Sequence, residues 1–460
     1  MFNRQTVFPI AAVAAAFFLG PSAAQSQPSD ALFTGPNILS RGTRPIGRSG
    51  GRPIGFRANL TFGTSYYGGL TRAGLETNMR PGDVSTYSGN LGFGVSGTRA
   101  TPRSSTTGQY QGFVQVFGNQ VTFSGLNQFG QISHQRQLSR RWSTFVAGMG
   151  STQTTVINGI GANIFAPDLI NGQALAIPQS EPFDTRFLQG VASSGFSFKK
   201  SARLTFTMSG AGAIQRRKAT ALVDTNAYMA NGEVSYQLSR RTGIGATYSF
   251  MTFFHKRNFG EAQAHTYMGI VNRVLSPHWS IGGGLGVLRM ETQRLEPVTI
   301  DPLITALTGQ VGGVQAAHSI FHGLAAQGSL NGSFRSSSLS VSYNRGANGG
   351  NGLVLTSQAE IVGAQYSYSG IRRTSLSLYG VRNHFVPVLS AFGINRYTST
   401  FLGMGVGYRL TGFLHFQSSA QIGRSHAEIR SGVVSPFARD RYAVSAGISF
   451  QPGEVPLVLW

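Results

Sequence analysis

The sequence has no cysteine, and charged side chains make up only 12% of its 460 residues. The absence of cysteine excludes disulfide bonds, thiolate metal ligands and a cysteine nucleophile. Acidic residues are especially scarce, with 16 Asp and Glu against 38 Lys and Arg, so the formal net charge is +22. A composition this poor in charge disfavours a soluble helical protein, because the exposed faces of such helices carry many charged side chains.

Beyond residue 24, the sequence also lacks any apolar run of about 18 residues, the length that a transmembrane helix requires. A membrane span in this region therefore has to be built from β-strands. Residues 1–24 have the pattern of a secretory signal peptide: Arg4, then the apolar stretch Val7–Leu19, then small residues at Ser22–Ala24. We expect the chain to be exported.

Residues 25–54 are predicted to form a flexible, basic periplasmic arm. The motif Arg-Pro-Ile-Gly occurs at 44–47 and again at 52–55, and Pro and Gly at this density disfavour a hydrogen-bonded ladder. Such an arm is either a solvated linker or a segment that contacts anionic lipid or the cell wall.

Glycine and aromatic residues are abundant, with 61 Gly, 32 Phe and 15 Tyr, which favours β-strands. The clearest strand is 442–450, in which small or polar residues separate the apolar ones. Successive strand side chains point to opposite faces, so this segment has one apolar and one polar face. Its apolar positions are Tyr442, Val444, Ala446, Ile448 and Phe450.

The same alternation recurs from residue 56 onward, although it is less regular at 110–135. Short polar turns separate pairs of these strands at intervals of about 36 to 40 residues, with two intervals of about 60. Eight turns define nine hairpins, which predicts an all-β fold of 18 antiparallel strands, or 16 if one hairpin is miscounted. The turns centre on residues 103, 139, 200, 240, 276, 336, 373 and 411.

This pattern resembles the bacterial outer-membrane β-barrel proteins, porins in particular. The resemblance implies an up-and-down transmembrane barrel over 55–450, in the outer membrane of a Gram-negative bacterium, with both termini periplasmic. The last strand is similar to the C-terminal signal that the barrel assembly machinery recognises, with Phe450 as its aromatic end. Residues 451–460 form a C-terminal tail that we do not expect to extend the sheet, because it contains Pro452 and Pro456.

A barrel of 16 to 18 strands is too wide for its side chains to fill, so we expect water inside. The segment 156–184 is long enough to fold inward as a constriction, or else it lies over the outer mouth as a flat loop. It carries Asp168, Glu181 and Asp184. By alternation we expect the pore to be lined by Arg57, Arg217, Glu233, His255, Arg257, His415, Gln417 and Gln421. The excess of cations in this set predicts a mild preference for anions.

No catalytic or metal-binding spacing stands out, so we expect no enzyme activity, no cofactor and no metal. His318 and His322 are four residues apart, but their Ala, Gln and Gly neighbours do not define a helical metal site. The expected partners are outer-membrane lipid and lipopolysaccharide, the assembly machinery during biogenesis and no nucleic acid; a homo-oligomer is an open alternative.

The sequence thus predicts a porin-like channel for passive diffusion of small hydrophilic solutes. Two rivals stay open at this point. One is a barrel that transports nothing and acts as an adhesin or structural wall protein; the other is a barrel hydrolase acting on lipid or peptide.

Overall fold

The computed structural model describes residues 54–70, 84–118, 124–154, 186–218, 222–255, 260–299, 312–350, 354–390, 394–429, 439–452 and 455–457. All regular structure in these ranges is β-strand. No helix among the described residues has the length and apolar character needed to cross a bilayer.

Eighteen long strands and one short one follow each other along the chain. They are β1 (Ile54–Leu70), β2 (Val84–Ala100), β3 (Ser104–Phe117), β4 (Gly125–Gln137), β5 (Trp142–Thr154), β6 (Arg186–Lys199), β7 (Leu204–Arg217), β8 (Thr225–Gln237), β9 (Thr242–His255), β10 (Gly260–Ser276), β11 (Trp279–Thr299), β12 (Gly312–Ser333), β13 (Ser337–Asn348), β14 (Val354–Tyr368), β15 (Thr374–Ser390), β16 (Ile394–Arg409), β17 (Leu414–Ile429), β18 (Arg439–Phe450) and β19 (Val455–Leu457).

The sheet closes on itself. Each long strand pairs antiparallel with its neighbours in sequence, and β1 pairs with β18 from Leu60↔Phe450 to Gly68↔Tyr442. The prediction of a closed antiparallel barrel is confirmed, with 18 long strands rather than 16. Closure leaves the wall without an open sheet edge where β1 meets β18, as a lipid environment demands of a spanning sheet.

All eight predicted turns connect consecutive strands at one end of the barrel, which we call the short-turn end; the opposite end is the loop end. A hydroxyl group stabilises several of these turns in the same way. Ser139 Oγ accepts hydrogen bonds from the backbone N–H of Arg141 and Trp142, and Ser239 Oγ does the same for Arg241 and Thr242. Such side-chain acceptors favour a tight turn over a continued strand.

The two faces of the sheet differ as the alternation predicts. Outward side chains are apolar and exposed, as at Leu285 (63%) and Val444 (52%), whereas inward positions include buried amides such as Asn90 and Gln115 (both 0%). The five positions of the predicted assembly signal, from Tyr442 to Phe450, share the outward face of β18. The apolar band suits hydrocarbon and the polar face suits water or other polar side chains.

Two segments differ from the expectation. The stretch 293–314 lacks clean alternation in the sequence, like 156–184, and would be expected to form a loop; parts of it form strands, because β11 reaches Thr299 and β12 begins at Gly312. Backbone hydrogen bonds between two adjacent strands need no alternation of side chains, so a hairpin outside the hydrocarbon can continue without it. The tail also forms β19, which pairs with β1 from Ile54↔Leu457 to Phe56↔Val455. Pro456 is tolerated there because β19 is an edge strand paired on one side.

Candidate functional site: the barrel interior

The inner face is exposed mainly towards the short-turn end, where neutral polar side chains line an open chamber that we call the vestibule. Most of its exposed inward residues lie on β4, β13 and β14. β4 and β13 are nine strands apart in a ring of 18, so they form facing walls. Hydrogen bonds such as Ser340 Oγ to Asn331 Oδ1 (2.9 Å) and Gln131 Nε2 to Gln109 Oε1 (3.1 Å) order this lining. The exposed inward residues include Gln135, Ser340, Ser342, Asn344 and Gln365.

Charged side chains on the inner face are mostly cationic. Among described side chains that follow the inward register, Glu233 is the one carboxylate. The inward cations are Arg57, Lys199, Arg217, Arg409, Arg439 and Arg441. Arg57 and Arg409 are exposed and lie at the short-turn end, whereas Arg217 and Arg439 are buried. The strand acids Glu261, Glu291, Glu360, Glu428 and Asp440 follow the outward register.

Towards the loop end, by contrast, the inner face carries a buried apolar cluster. One row across four adjacent strands contains Met229 on β8, Met251 on β9, Ala264 on β10 and Met290 on β11, each a register partner of the next. Phe321 on β12 continues the row. The cluster is sealed from water, since Ala264 and Met290 are almost fully buried. An apolar surface inside a barrel needs something to cover it.

The covering element is the loop-end half of the β13–β14 hairpin, residues 346–350 and 354–358, which we call the inner hairpin. β13 pairs with β12 only from Ser333↔Ser338 to Ala326↔Arg345; beyond Arg345 it separates from β12 but stays paired with β14, which stays paired with β15. Residues 354–359 are buried at every position rather than at alternate ones. Burial of both faces shows that this half of the hairpin is enclosed by other parts of the barrel.

Contacts across the interior show what encloses it. His255 Nε2 on β9 lies 3.1 Å from Thr356 Oγ1 on β14, although these strands are five apart in the sheet. The ring of Phe253 lies so close to Gly349 that a Cβ there would overlap it. Ala347, which continues the outward register of β13, packs in the apolar cluster described above. The inner face of β9–β12 therefore lies against the outward side of the inner hairpin, and the sheet overlaps itself there.

The inner hairpin also meets residues 222–224, which precede β8. Leu222 is fully buried and packs with Val354, Phe385 and Tyr397, and Val223 packs with Leu355. The segment is held in place by Arg217, whose backbone N–H donates to Asp224 Oδ1 (2.8 Å) and whose guanidinium donates to the carbonyl of Val223. The interior at the loop end is thus crossed by packed side chains.

The structure places the residues expected to line the pore as follows. All those it describes follow the inward register, but their exposure differs. Arg57 is exposed, His415 and Gln421 are half-buried, and Arg217, Glu233, His255 and Gln417 are buried. Arg257 and the acids of the expected constriction, Asp168, Glu181 and Asp184, lie outside the described residues. Their part in conduction stays a prediction.

Sequence reasoning missed the inner hairpin as the element that fills the interior. The segment Val354-Leu355-Thr356-Ser357-Gln358 lacks apolar–polar alternation, but its three polar residues do not form the continuous apolar run that indicates a strand buried on both faces. The row Met229, Met251 and Met290 was also missed, because only the register reveals that the three lie side by side.

The histidine pair set aside above lies on strand β12 rather than on a helix. His318 and His322 share its outward face, with His318 Nε2 3.7 Å from Glu291 Oε2. Arg289 forms an ion pair with the same carboxylate at 2.5 Å. In the part of the chain that the structure covers, no three His, Cys, Asp or Glu side chains converge as a metal site.

Comparison with known proteins gives structural similarity alone. No family model and no curated protein matches the sequence. A BenF-like porin from Pseudomonas fluorescens Pf-5 is similar at a TM-score of 0.40 and 12% identity, over 87% of this chain and 99% of that one. OccK2 (OpdF) from Pseudomonas aeruginosa, solved in complex with glucuronate, has a TM-score of 0.40 and 10% identity, over 86% and 98%.

The FrpB iron transporter from Neisseria meningitidis (F3-3 variant) has a TM-score of 0.39 and 10% identity, over 85% of this chain. The chain spans 66% of that transporter's length. The assignment of this chain as an 18-stranded barrel depends on its own strand pairing.

Proposed function

We propose that the chain is an outer-membrane channel through which small hydrophilic solutes diffuse passively, with a mild preference for anions. The observation that carries the proposal is the combination of a closed 18-stranded wall, an apolar outward face and a polar vestibule that opens at the short-turn end. A wall of this kind is stable in a bilayer and leaves room for water along its axis.

The anion preference is supported by the inner-face charges. Two exposed guanidinium groups, Arg57 and Arg409, lie at the vestibule end, while the inward carboxylate Glu233 is buried. Fixed positive charge at the mouth of a narrow path raises the local anion concentration and lowers that of cations.

Recording from the purified protein in a planar bilayer tests the proposal. We expect discrete conductance steps. In a salt gradient, we expect a reversal potential with the sign that results when anions are more permeant than cations. A cation-selective reversal potential would refute the preference, and the absence of steps in every variant described below would refute the channel.

A second candidate is a barrel that transports nothing and acts as a wall or adhesion protein. The packed interior at the loop end favours this candidate, because Leu222, Val354 and Tyr397 pack in one cluster there and are fully buried. The two candidates differ in whether that packing can open.

A further inference from the structure

The ladder between β12 and β13 stops before either strand ends. Its last pair is Ala326↔Arg345, yet β12 continues for 14 residues towards Gly312 and β13 for three towards Asn348. Continuing the same register would bring 325 opposite 346 and, in turn, 321 opposite 350. Five further pairs are therefore available to the hairpin if it straightens into the wall.

We propose that the inner hairpin is a gate with two positions, an inference that rests on the proposed channel function. In the closed position it leans into the barrel, as in this structure. In the open position it straightens at Arg345 together with the end of β15 that is paired with β14, extends the β12–β13 ladder along 321–325, and uncovers the apolar surface of β8–β12. The same residues form different contacts in each position, which is what a two-state element requires.

The closed position is held by a few specific contacts. Besides the pair of His255 and Thr356, the Gln358 amide donates to the carbonyl of Leu324 at 2.8 Å. That carbonyl lies on the edge of β12 that β13 would reach in the open position, so Gln358 occupies a ladder position. Releasing this bond frees the edge for backbone pairing, and one set of hydrogen bonds replaces the other.

The composition of the hairpin and its surroundings suits movement. Glycine occupies 346, 349 and 350, and Gly350 has a φ of +80°, which other residues rarely adopt. The surface that the hairpin covers is rich in methionine, whose flexible side chain repacks readily when its partner leaves.

The position of the hinge is compatible with the membrane. The outward face of β11 changes from apolar to charged at Arg289, whose partner on β12 is His322, four residues beyond Ala326. The edge of β12 that the closed position leaves unpaired, 312–325, therefore lies mainly at or beyond the apolar band. An unpaired backbone edge is costly in hydrocarbon but tolerable in water.

Two cysteine pairs can lock the two positions, because the chain has no cysteine of its own. Phe253→Cys with Gly349→Cys joins residues that touch only in the closed position. Leu324→Cys with Ala347→Cys joins register partners of the open position; in the closed structure Leu324 is 45% exposed on the outer face and Ala347 is buried at 6%. Leu330→Cys with Val341→Cys, partners in the permanently paired half of the same two strands, is the control.

Single-channel recording of each oxidised and reduced variant, with disulfide yield measured by thiol labelling, distinguishes the outcomes. We expect the Phe253–Gly349 crosslink to abolish conductance until it is reduced, the Leu324–Ala347 crosslink to hold the channel open, and the control to behave as wild type. If conductance is unchanged with either crosslink fully formed, the proposal that the hairpin is a gate is wrong, whereas the proposal that the protein is a channel is unaffected. Failure of either pair to crosslink would overturn it as well, since each tests a position the proposal requires. No conductance even in the Leu324–Ala347 variant would instead overturn the channel itself.

Discussion

Replacing one outward leucine by arginine tests whether the apolar face of this barrel meets lipid. Leu285 projects outward from β11 between Gly269 and Ala326, and its 63% exposure leaves it few protein contacts to lose. It lies between Trp279, where β11 begins, and Arg289, where outward charge appears. With a rise of about 3.3 Å per residue and a tilt of about 40°, the ten steps from Trp279 to Arg289 span roughly 25 Å, the height of the apolar band. Leu285 is thus close to the bilayer midplane.

An arginine at the midplane of a barrel wall costs about 2–4 kcal/mol, and near the interface about 0–1 kcal/mol. Leu285→Arg should therefore lower the folding equilibrium constant in lipid vesicles by about 30- to 1,000-fold. Val287→Arg, one outward position closer to Arg289, should lower the folding equilibrium constant much less than Leu285→Arg does. Both constants can be measured by denaturant titration of the protein folded into phospholipid vesicles.

Ser340→Arg supplies the matched control, because Ser340 is exposed on the inward face of β13. We expect a change within about 0.5 kcal/mol there, as is usual for an exposed polar site. Equal costs for Leu285→Arg and Ser340→Arg would contradict the assignment of one face to lipid and the other to water.

Three further predictions address the gate, the selectivity and the assembly signal. Thr356→Val removes the hydrogen bond with His255; at about 1 kcal/mol for such a bond, the ratio of closed to open dwell times should fall about fivefold in single-channel records. Arg57→Gln removes an exposed cation from the vestibule end and should move the reversal potential towards zero, and a shift towards stronger anion preference would contradict the charge model. Phe450→Ala should reduce the fraction of folded barrel in cell envelopes, measured by heat-modifiable gel mobility. If Trp460→Ala reduces it more, the signal lies in the tail and not in β18.

The sequence alone determined the wall of this protein. Alternation along segments such as Tyr442–Phe450, and turns such as Leu138-Ser139-Arg140-Arg141, predict two-faced strands joined in hairpins, because both signals depend on neighbours within a few residues. Closure between β1 and β18 could also be inferred, since an unpaired edge is not tolerated in lipid.

The interior was decided by the tertiary structure. Whether an inward residue lines a water-filled pore or is buried depends on what lies across the barrel, and that partner is distant in sequence, as Thr356 is from His255. Alternation assigns Arg57 and Arg217 to the same face but cannot distinguish the exposed one from the buried one. The physical reason is that the period-2 pattern records only which side of the sheet a residue occupies. That pattern therefore does not mark Arg345 as the residue at which β13 separates from β12.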